Sequence, residues 1–192
     1  MAQRAGLATR GHAALVLLAL VCACGDSAPQ APPDVRVRVD RVVIDENHAP
    51  VVVLEEEGGT RWLPIWIGSE EAHSIALEME ALHLPRPNSH DLARDLIRGL
   101  DAEVARVVVT ELRDGTYYAT LHLQNGERSV GIDARPSDAI ALALRTRSPI
   151  LVEESVIDNA KTADFTAEPG DNARLQKWLE SLDPEELGKY KM

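Results

Sequence analysis

The feature that most constrains the fold is an order of three strands and one helix that occurs twice along the chain. Strands are predicted where apolar residues alternate, or where short runs rich in β-formers lie between turns. They fall at 34–40, 51–57 and 61–67 in the first half and at 103–112, 116–124 and 128–133 in the second. A helical pattern follows the third strand of each half, so the sequence predicts two βββα units.

Short turns predict that the strands within each half pair as antiparallel hairpins. The turn signals are Gly58-Gly59, Asp114-Gly115 and Asn125-Gly126. Pro64 lies in the middle of a predicted strand, which indicates an edge or a bulge because proline cannot donate to a strand ladder. Its neighbours Trp62 and Trp66 share one face of that strand, and burial against a neighbouring element or subunit is expected for them rather than stacking with single-stranded bases.

The two predicted helices also begin with similar residues. Glu71-Ala72, Ile75 and Ala76 in the first correspond to Asp138-Ala139, Leu142 and Ala143 in the second. This similarity indicates an internal duplication, in which two units share one core because each alone leaves an apolar face uncovered. The predicted fold class is α+β, a single domain of mostly antiparallel sheets packed with helices. Ser137 is expected to cap the second helix, and Ser89 a further helix between the halves.

The N-terminal segment has the pattern of a bacterial lipoprotein leader. Two arginines precede an apolar run at 13–21, which is too short to cross a bilayer comfortably but fits the core of a signal peptide. The order VCAC at 21–24 resembles a lipobox, which predicts a leader at 1–23 and a lipid on Cys24. A plain secreted protein with a leftover thiol is the alternative.

Composition predicts the remaining boundaries. The Pro-rich stretch 24–34 is expected to be a semi-rigid tether, and 35–160 the folded domain. A last helix near 171–182 and a loose tail make up 161–192. A lipid on Cys24 would hold the domain on a bacterial membrane, in the cell envelope.

The charge balance and the absence of several motifs exclude some classes of protein. With a formal net charge of −11, the surface repels phosphate backbones, so tight nonspecific binding to duplex DNA is not expected without divalent cations. The sequence contains no GxGxxG, P-loop, HExxH, nucleophile elbow or paired CxxC motif. Nothing therefore supports a dehydrogenase, a nucleoside triphosphatase or a zinc protease.

Four blocks of sequence have a familiar order within roughly residues 35–160. They are LPIWIGSEEAHSIALEME, PRPNSHDL, TYYATLHL and GIDARPSDAIALALRTRSPI. Together they resemble the bifunctional nuclease (BFN domain) family. The resemblance implies an α+β domain with an internal duplication, assembly as a homo-oligomer, and cleavage of DNA and RNA. The chain departs from the family at Ser89, where members usually have threonine, and in its leader, because members are mostly intracellular or organellar.

The turn into the second helix is the first candidate site. Phosphodiester hydrolysis needs an activated water, a group that stabilises charge on phosphorus and a proton donor. Asp133, Arg135 and Asp138 can supply these at a helix N-terminus, which itself attracts phosphate. The predicted ligands of Mg²⁺ or Mn²⁺ are Asp133, Asp138 and Glu71, the residue that corresponds to Asp138 in the first unit. The structural alternative is an ion pair that locks the turn, with Asp138 favouring the helix dipole.

His90 and Asp91 form the second candidate site. An imidazole is a plausible proton shuttle, and Asp91 can orient it or bind a metal ion. Helix capping alone is the alternative for Asp91. The predicted catalytic residues are therefore His90, Asp91, Arg135 and Asp138.

The sequence thus predicts a lipid-anchored nuclease that hydrolyses DNA or RNA with a divalent metal. The alternative is a noncatalytic module of the cell envelope, either an oligomeric scaffold or a partner-binding domain. A solvent-reachable pocket on which Asp133, Asp138 and either His90 or Asp91 converge favours the enzyme. Burial of Arg135 in a saturated ion pair, far from His90 and with no open cleft, favours the scaffold.

Overall fold

Eleven regular elements follow one another in residues 34–59 and 61–160, the part of the chain that the computed structural model describes. They are β1 (Asp34–Ile44), β2 (Pro50–Glu56), β3 (Trp62–Trp66), α1 (Ser69–Met79), α2 (Ser89–Gly99), β4 (Glu103–Arg113), β5 (Thr116–Asn125), β6 (Arg128–Ala134), α3 (Pro136–Thr146), β7 (Ile150–Glu153) and α4 (Glu154–Asn159). The predicted leader, the lipidated Cys24, the helix near 171–182 and the tail lie outside these residues. Of the predicted tether, Asp34 already belongs to β1.

The seven described strands form one sheet in the order β3-β2-β1-β7-β4-β5-β6. The hairpins β1-β2-β3 and β4-β5-β6 are antiparallel, as predicted. Between them lies β7, antiparallel to β1 and parallel to β4. The α+β class is confirmed. The two βββα units occupy opposite ends of a shared sheet, which places β3 and β6 at its two edges.

The main core lies between one face of this sheet and the helices. Buried side chains of α1, α3 and α4 share one apolar cluster with alternate residues of the strands. In β1, a bulge between Val39 and Arg41 shifts the alternation, so that Val37 before it and Val42 after it both face this core. The helices are therefore held at fixed positions over the sheet.

The edge strand β3 differs from the prediction in its tryptophans. Trp62 is 38% exposed and Trp66 is 52% exposed, so neither is buried against a neighbouring element of the described chain. Burial against another subunit stays a prediction. Leu63 and Ile65 face the core, whereas the tryptophans lie on the opposite face of the sheet. β3 pairs with β2, its neighbour in the sheet. The edge position indicated by Pro64 is confirmed.

Local chemistry shifts some of the predicted turns and caps by one or two residues. Asp114 and Gly115 form the predicted β4-β5 turn, and both have positive φ, as a type I′ turn requires. The β5-β6 turn is instead Gly126-Glu127, because Asn125 still pairs with Arg128. Neither serine is an N-cap. Helix α2 is capped by Asn88, and α3 begins earlier than predicted, with Arg135 at the N-cap and Pro136 in its first turn.

Within 34–59 and 61–160, no helix is both long enough and apolar enough to cross a bilayer.

Candidate functional site

The site lies where the first turns of α1, α2 and α3 meet. Glu71 is the third residue of α1, and Asp138 is the third residue of α3, so the predicted repeat-mates occupy equivalent helical positions. The residue before each helix differs between the halves: it is Gly68 in the first and Arg135 in the second. A single guanidinium therefore stands between two equivalent carboxylates.

Arg135 binds both of those carboxylates. Its Nε donates to Asp138 Oδ2 at 2.7 Å, and its Nη2 donates to Asp138 Oδ1 at 3.0 Å and to Glu71 Oε1 at 2.5 Å. These hydrogen bonds raise the pKa of the guanidinium, and the bonds to Asp138 contribute more than the bond to Glu71. The side chain is nevertheless 66% exposed, and its Nη1 has no acceptor among the residues described. One edge of the cation thus faces solvent.

Gly68 leaves the space that the Glu71 carboxylate occupies. A Cβ built at position 68 would lie 2.2 Å from Glu71 Oε2. The backbone of Gly68 has φ −72°, which any residue can adopt. A side chain at position 68 would therefore require the flexible Glu71 carboxylate to shift.

His90 reaches Asp138 from the first turn of α2. Its Nε2 lies 3.0 Å from Asp138 Oδ1, and its Nδ1 lies 2.8 Å from the hydroxyl of Ser74 in α1. The ring is largely buried, with 13% of the side chain exposed. Three helices therefore contribute to one hydrogen-bonded chain, from Ser74 through His90 to Asp138.

The partners of Ser74 determine which nitrogen of neutral His90 carries the proton. Ser74 Oγ accepts from Arg145 Nη2 at 2.9 Å and from Asn88 Nδ2 at 3.1 Å. A serine hydroxyl has two lone pairs and one hydrogen. With both lone pairs occupied, Ser74 donates its hydrogen to Nδ1. The proton of the imidazole then lies on Nε2, which donates to Asp138.

Asp138 is an ionised carboxylate held by these donors. Desolvation on its own raises the pKa of Asp138, but the hydrogen bonds from Arg135 and His90 outweigh it, so that the net shift is downward. Arg135 contacts both oxygens and His90 contacts Oδ1 only. Oδ2 consequently retains room for a further hydrogen-bond donor, such as water.

Asp91 faces away from His90, toward α3. Its Oδ1 accepts from Arg145 Nε at 2.8 Å, and its Oδ2 accepts from the backbone N–H of Asn88, completing a capping box. Desolvation opposes ionisation of Asp91, but the bonds from Arg145 and Asn88 prevail and lower its pKa. The contacts thus agree with the capping alternative and place Asp91 beside a neighbouring cavity.

Asp133 is separated from the other candidates. It is exposed on β6 and pairs with Thr120 of β5, whereas the next residue, Ala134, packs against the core. Because successive side chains of a strand point to opposite faces, Asp133 lies on the face away from the helices. The predicted ligand set of Asp133, Asp138 and Glu71 is not brought together.

A cavity of about 230 Å³ opens over the remaining candidates. Its lining includes Glu71, Ser74, His90, Arg135 and Asp138. Asp138 and His90 converge on this pocket, with Arg135 exposed at the same place, whereas Asp133, which was expected to join them, does not line it. The pocket can hold an anionic group against Arg135, next to a carboxylate and an imidazole.

The donor set does not fit a divalent metal as it is arranged. Among residues 34–59 and 61–160, no group of three or more His, Cys, Asp or Glu side chains is placed to hold an ion. Glu71 and Asp138 are the nearest to such a pair, and Arg135 occupies the position between them. A cation binding both carboxylates would have to displace the guanidinium.

Sequence reasoning missed Ser74, Asn88 and Arg145 as parts of the site. Arg145 is 7% exposed and Ser74 is 5% exposed, and both interrupt otherwise apolar buried helix faces. A charge on a buried helix face is the signal that identifies Arg145, because such a group needs partners. For Asn88, the spacing Asn-x-x-Asp is a capping pattern that also fits its role.

Comparisons with known proteins agree with the four sequence blocks. The family described as the bifunctional nuclease domain matches residues 52–164. An uncharacterized protein of Mycobacterium tuberculosis is 39% identical over 163 residues, covering 80% of this chain and 97% of that protein. Bifunctional nuclease 2 of Arabidopsis thaliana is 31% identical over 62% of this chain and 40% of its own length. Bifunctional nuclease 1 of Oryza sativa is 28% identical over 64% of this chain and 38% of its own length.

Proposed function

Because the chain belongs to the bifunctional nuclease domain family, we propose that it hydrolyses phosphodiester bonds of DNA or RNA at the pocket beneath Arg135. The observation that carries the proposal is the exposed edge of this guanidinium, beside the hydrogen-bonded pair of His90 and Asp138. The names of the plant relatives support the same reaction class.

Arg135 binds the substrate phosphate and stabilises charge on it. Nη1 donates to a non-bridging oxygen, and the cation opposes the negative charge that develops during attack. The ion pairs with Glu71 and Asp138 fix the orientation of the guanidinium before the substrate arrives. Preorganisation of this kind avoids the cost of ordering a long side chain during the reaction.

Asp138 moves the proton and His90 holds Asp138 in place. Oδ2 of Asp138 takes a proton from the attacking water, and the oxygen of that water forms the new bond to phosphorus. The same proton then passes from Oδ2, through solvent water, to the leaving oxygen as the old bond breaks, which returns Asp138 to its ionised state. His90 stays neutral and donates its Nε2 hydrogen to Asp138 Oδ1 at 3.0 Å, so both residues are needed for the base to work.

The acidic surface restricts the substrate. A formal charge of −11 repels a long duplex, which offers about one phosphate charge per 1.7 Å of its axis. Single-stranded segments and chain ends present less charge, and one phosphate can enter a 230 Å³ pocket. Salt screens the repulsion beyond a distance of about 8 Å at physiological ionic strength. We therefore expect a preference for single-stranded substrates.

The test is cleavage of labelled single-stranded DNA and RNA by the purified protein, in Mg²⁺, in Mn²⁺ and in EDTA. Asp138→Asn and His90→Ala should each reduce the rate by about 100-fold, a typical contribution of a positioned acid or base. His122→Ala is the matched control because that residue lies on the other sheet face, paired with Gly131. Equal rates for all four proteins would trace the cleavage to a contaminant and remove the proposal.

The noncatalytic alternative retains one supporting observation. The carboxylates of Glu71 and Asp138 and both nitrogens of His90 already have partners within the protein. A structural network would show the same saturation. Absence of cleavage with every metal and substrate, in a folded preparation, would favour a scaffold or partner-binding module.

A further inference from the structure

Another cavity adjoins the pocket beneath Arg135. Its volume is about 240 Å³, and its lining comes mainly from the last turn of α1, the connection 80–88 and the first two turns of α2. The two cavities share Leu84 and Asn88 in their walls. A ligand that places one group against Arg135 can therefore extend a second group into this cavity.

The connection 80–88 is held at both of its ends. Where α1 ends, Ala81 has φ 53°, and the N–H of Leu82 donates to the carbonyl oxygen of Leu77 at 2.8 Å, as in a Schellman motif. Where α2 begins, the capping box at Asn88 fixes the other end. Two prolines between these anchors restrict the chain further. The walls of the cavity are thus formed before any ligand binds.

The lining of this cavity suits an uncharged ring better than a phosphate. Its apolar wall consists of leucine and proline side chains from α1 and the connection, namely Leu77, Leu82, Leu84, Pro85 and Pro87. Its carboxylates and guanidiniums balance, since Glu78 and Asp91 are matched by Arg94 and Arg145. Apolar walls with a few polar groups are typical of small-molecule sites, and a nucleobase has this character, with apolar faces and a polar edge.

Two of these four charged groups retain hydrogen-bonding capacity. Every side-chain nitrogen of Arg145 already donates within the protein, and both oxygens of Asp91 accept. Glu78 is half-buried and accepts no hydrogen bond from the part of the chain that the structure describes. Arg94 donates from Nε to Asp95, and within the same described residues its terminal nitrogens make no hydrogen bond. Glu78 and Arg94 are therefore the groups that can bind a ligand here.

These two groups lie near one another. The hydrogen bond to Asp95 and, after it, the charges of Asp91 and Glu78 raise the pKa of Arg94. The Glu78 carboxylate is thus close enough to act on the guanidinium. One small ring can then contact both side chains.

We propose that this cavity binds a guanine base of the nucleotide whose phosphate lies against Arg135. Guanine presents two adjacent donors, N1–H and the 2-amino group, and these match the two oxygens of Glu78. Its O6 and N7 accept from an arginine, which is the commonest specific contact of that side chain with a base. The site therefore selects guanine by a carboxylate on one side of the ring and Arg94 on the other.

The other bases do not match the carboxylate. On the corresponding edge, adenine and cytosine place a ring nitrogen acceptor beside their amino group, and uracil and thymine place one N–H between two carbonyl oxygens. A carboxylate is an acceptor only, so each of these bases turns a lone pair toward Glu78. This assignment rests on the proposed function, because it takes the phosphate at Arg135 as its starting point.

Binding of mononucleotides to the purified full chain tests the base pocket without cleavage. In EDTA, calorimetric titration should give guanosine monophosphate a Kd about 10-fold below those of the adenosine, cytidine and uridine monophosphates. Inosine monophosphate lacks the 2-amino group and should bind about 10-fold more weakly than guanosine monophosphate, because one hydrogen bond to a charged group is lost. Equal affinities for all of these ligands would overturn the proposal.

Variants locate the base within the protein. Glu78→Gln keeps the size of the side chain but replaces one acceptor by a donor, so it should remove the preference for guanosine monophosphate at an unchanged urea midpoint. Glu80→Gln is the matched control, since Glu80 is exposed and does not line the cavity, and it should bind like the parent. Arg135→Ala should weaken all four mononucleotides alike. A preference that survives Glu78→Gln, or one that only Arg135→Ala removes, would place the base elsewhere and overturn the proposal.

The positions of the cuts in labelled single-stranded RNA separate this proposal from the proposed function. The parent should cut beside guanosines, and Glu78→Gln should spread the cuts over all four bases. Uniform cutting by the parent, with equal mononucleotide affinities, would remove the base pocket and leave the nuclease. Selective binding of guanosine monophosphate without any cleavage would remove the nuclease and leave the base pocket.

Discussion

Arg135 contacts one carboxylate from each half of the fold. A role in binding can be distinguished experimentally from a role in stabilising the turn. Exposed ion pairs contribute little to stability because solvent screens them. At 66% exposure, the pairs of Arg135 belong to this class. We therefore expect its position at a pocket mouth to matter for binding rather than for folding.

We predict that Arg135→Ala lowers the free energy of unfolding by ~1 kcal/mol or less. The cleavage rate should fall by about 100-fold, because the main cation for the phosphate is lost. Urea unfolding and single-turnover cleavage measure the two effects. Arg113→Ala is the control, since its side chain is similarly exposed, at 55%, and does not line the pocket. A large loss of stability with little change in rate would identify a lock instead.

The acids of the site predict how stability depends on pH. Asp138 and Asp91 both have a folded pKa below the usual 3.8. A depressed pKa stabilises the folded state above the unfolded pKa, and this stabilisation is lost as the pH falls through the folded value. We expect the urea midpoint to be steady near pH 7 and to fall below about pH 4.

The control for this acid loss is Asp138→Asn, which cannot titrate at that position. Its stability should fall less steeply below pH 4 than that of the parent, so the two curves should converge. Parallel curves over the whole range would show that Asp138 contributes nothing to the pH dependence.

Residue types in the site were predictable from sequence, but their partners were not. The candidates His90, Arg135, Asp138 and Glu71 were identified because ionisable groups at helix starts suit phosphate chemistry. Asp133 was grouped with them because it is close in sequence. Alternation along β6 puts it on the other face, and only the three-dimensional packing of three helices places Ser74 beside His90.

At the scale of elements, α2 and α3 are joined by a buried ion pair. Arg145 has 2% of its side chain exposed and binds Asp91, the carbonyl oxygens of Ala141 and Ser74, and the hydroxyl of Ser74. Removal of one partner from such a pair leaves the other charge and several acceptors uncompensated. This pair fixes α2 against α3, and thereby the distance from His90 to Asp138.

We predict that Arg145→Met lowers the free energy of unfolding by about 3 kcal/mol. Methionine fills much of the volume, so the loss reports the broken contacts. Arg94→Met is the matched control because Arg94 also approaches Asp91, at 3.7 Å, but is 26% exposed. It should cost less than about 1 kcal/mol. Chemical denaturation of both variants makes the comparison, and equal losses would contradict the special role of Arg145.

The elements themselves were largely predictable, and their ends less so. Alternation and hairpin turns indicated the strands of both units, because the spacing of apolar residues differs strongly between a strand and a helix. The helix starts were misplaced, since Ser89 and Ser137 are typical caps whereas Asn88 and Arg135 occupy the cap positions. The tryptophans of β3 were expected to pack against a neighbouring element or subunit, but the strand lies at an edge of the sheet, where both side chains remain more than a third exposed.

At the scale of the whole molecule, the duplication explains the single sheet. β7 joins two equivalent hairpins into seven strands, an arrangement that the repeat pattern implied without giving the strand order. Long-range pairing of this kind depends on contacts between distant residues, which local periodicity does not encode. The attachment of this domain to a membrane is a separate proposal that depends on the first residues of the chain.

We propose that Cys24 carries a lipid, as the VCAC order at 21–24 suggests. In bacteria fed radiolabelled palmitate, the parent chain should incorporate label and sediment with membranes. Cys24→Ser should abolish both the labelling and the sedimentation with membranes, because the acyl chains on Cys24 are the only membrane anchor in this proposal. Cys22→Ser is the control and should leave labelling intact. Label retained in the Cys24 variant would exclude this attachment.

The replacement of Gly68 by Arg135 in the second unit makes the two ends of the pocket unlike. A nucleic acid strand has its own chemical direction, from 5′ to 3′. With α1 offering the Glu71 carboxylate on one side of Arg135, and α3 and α2 offering the hydrogen-bonded pair of Asp138 and His90 on the other, the two orientations of a bound strand are not equivalent. Cleavage should consequently leave the phosphate on the same side of the broken bond at every position.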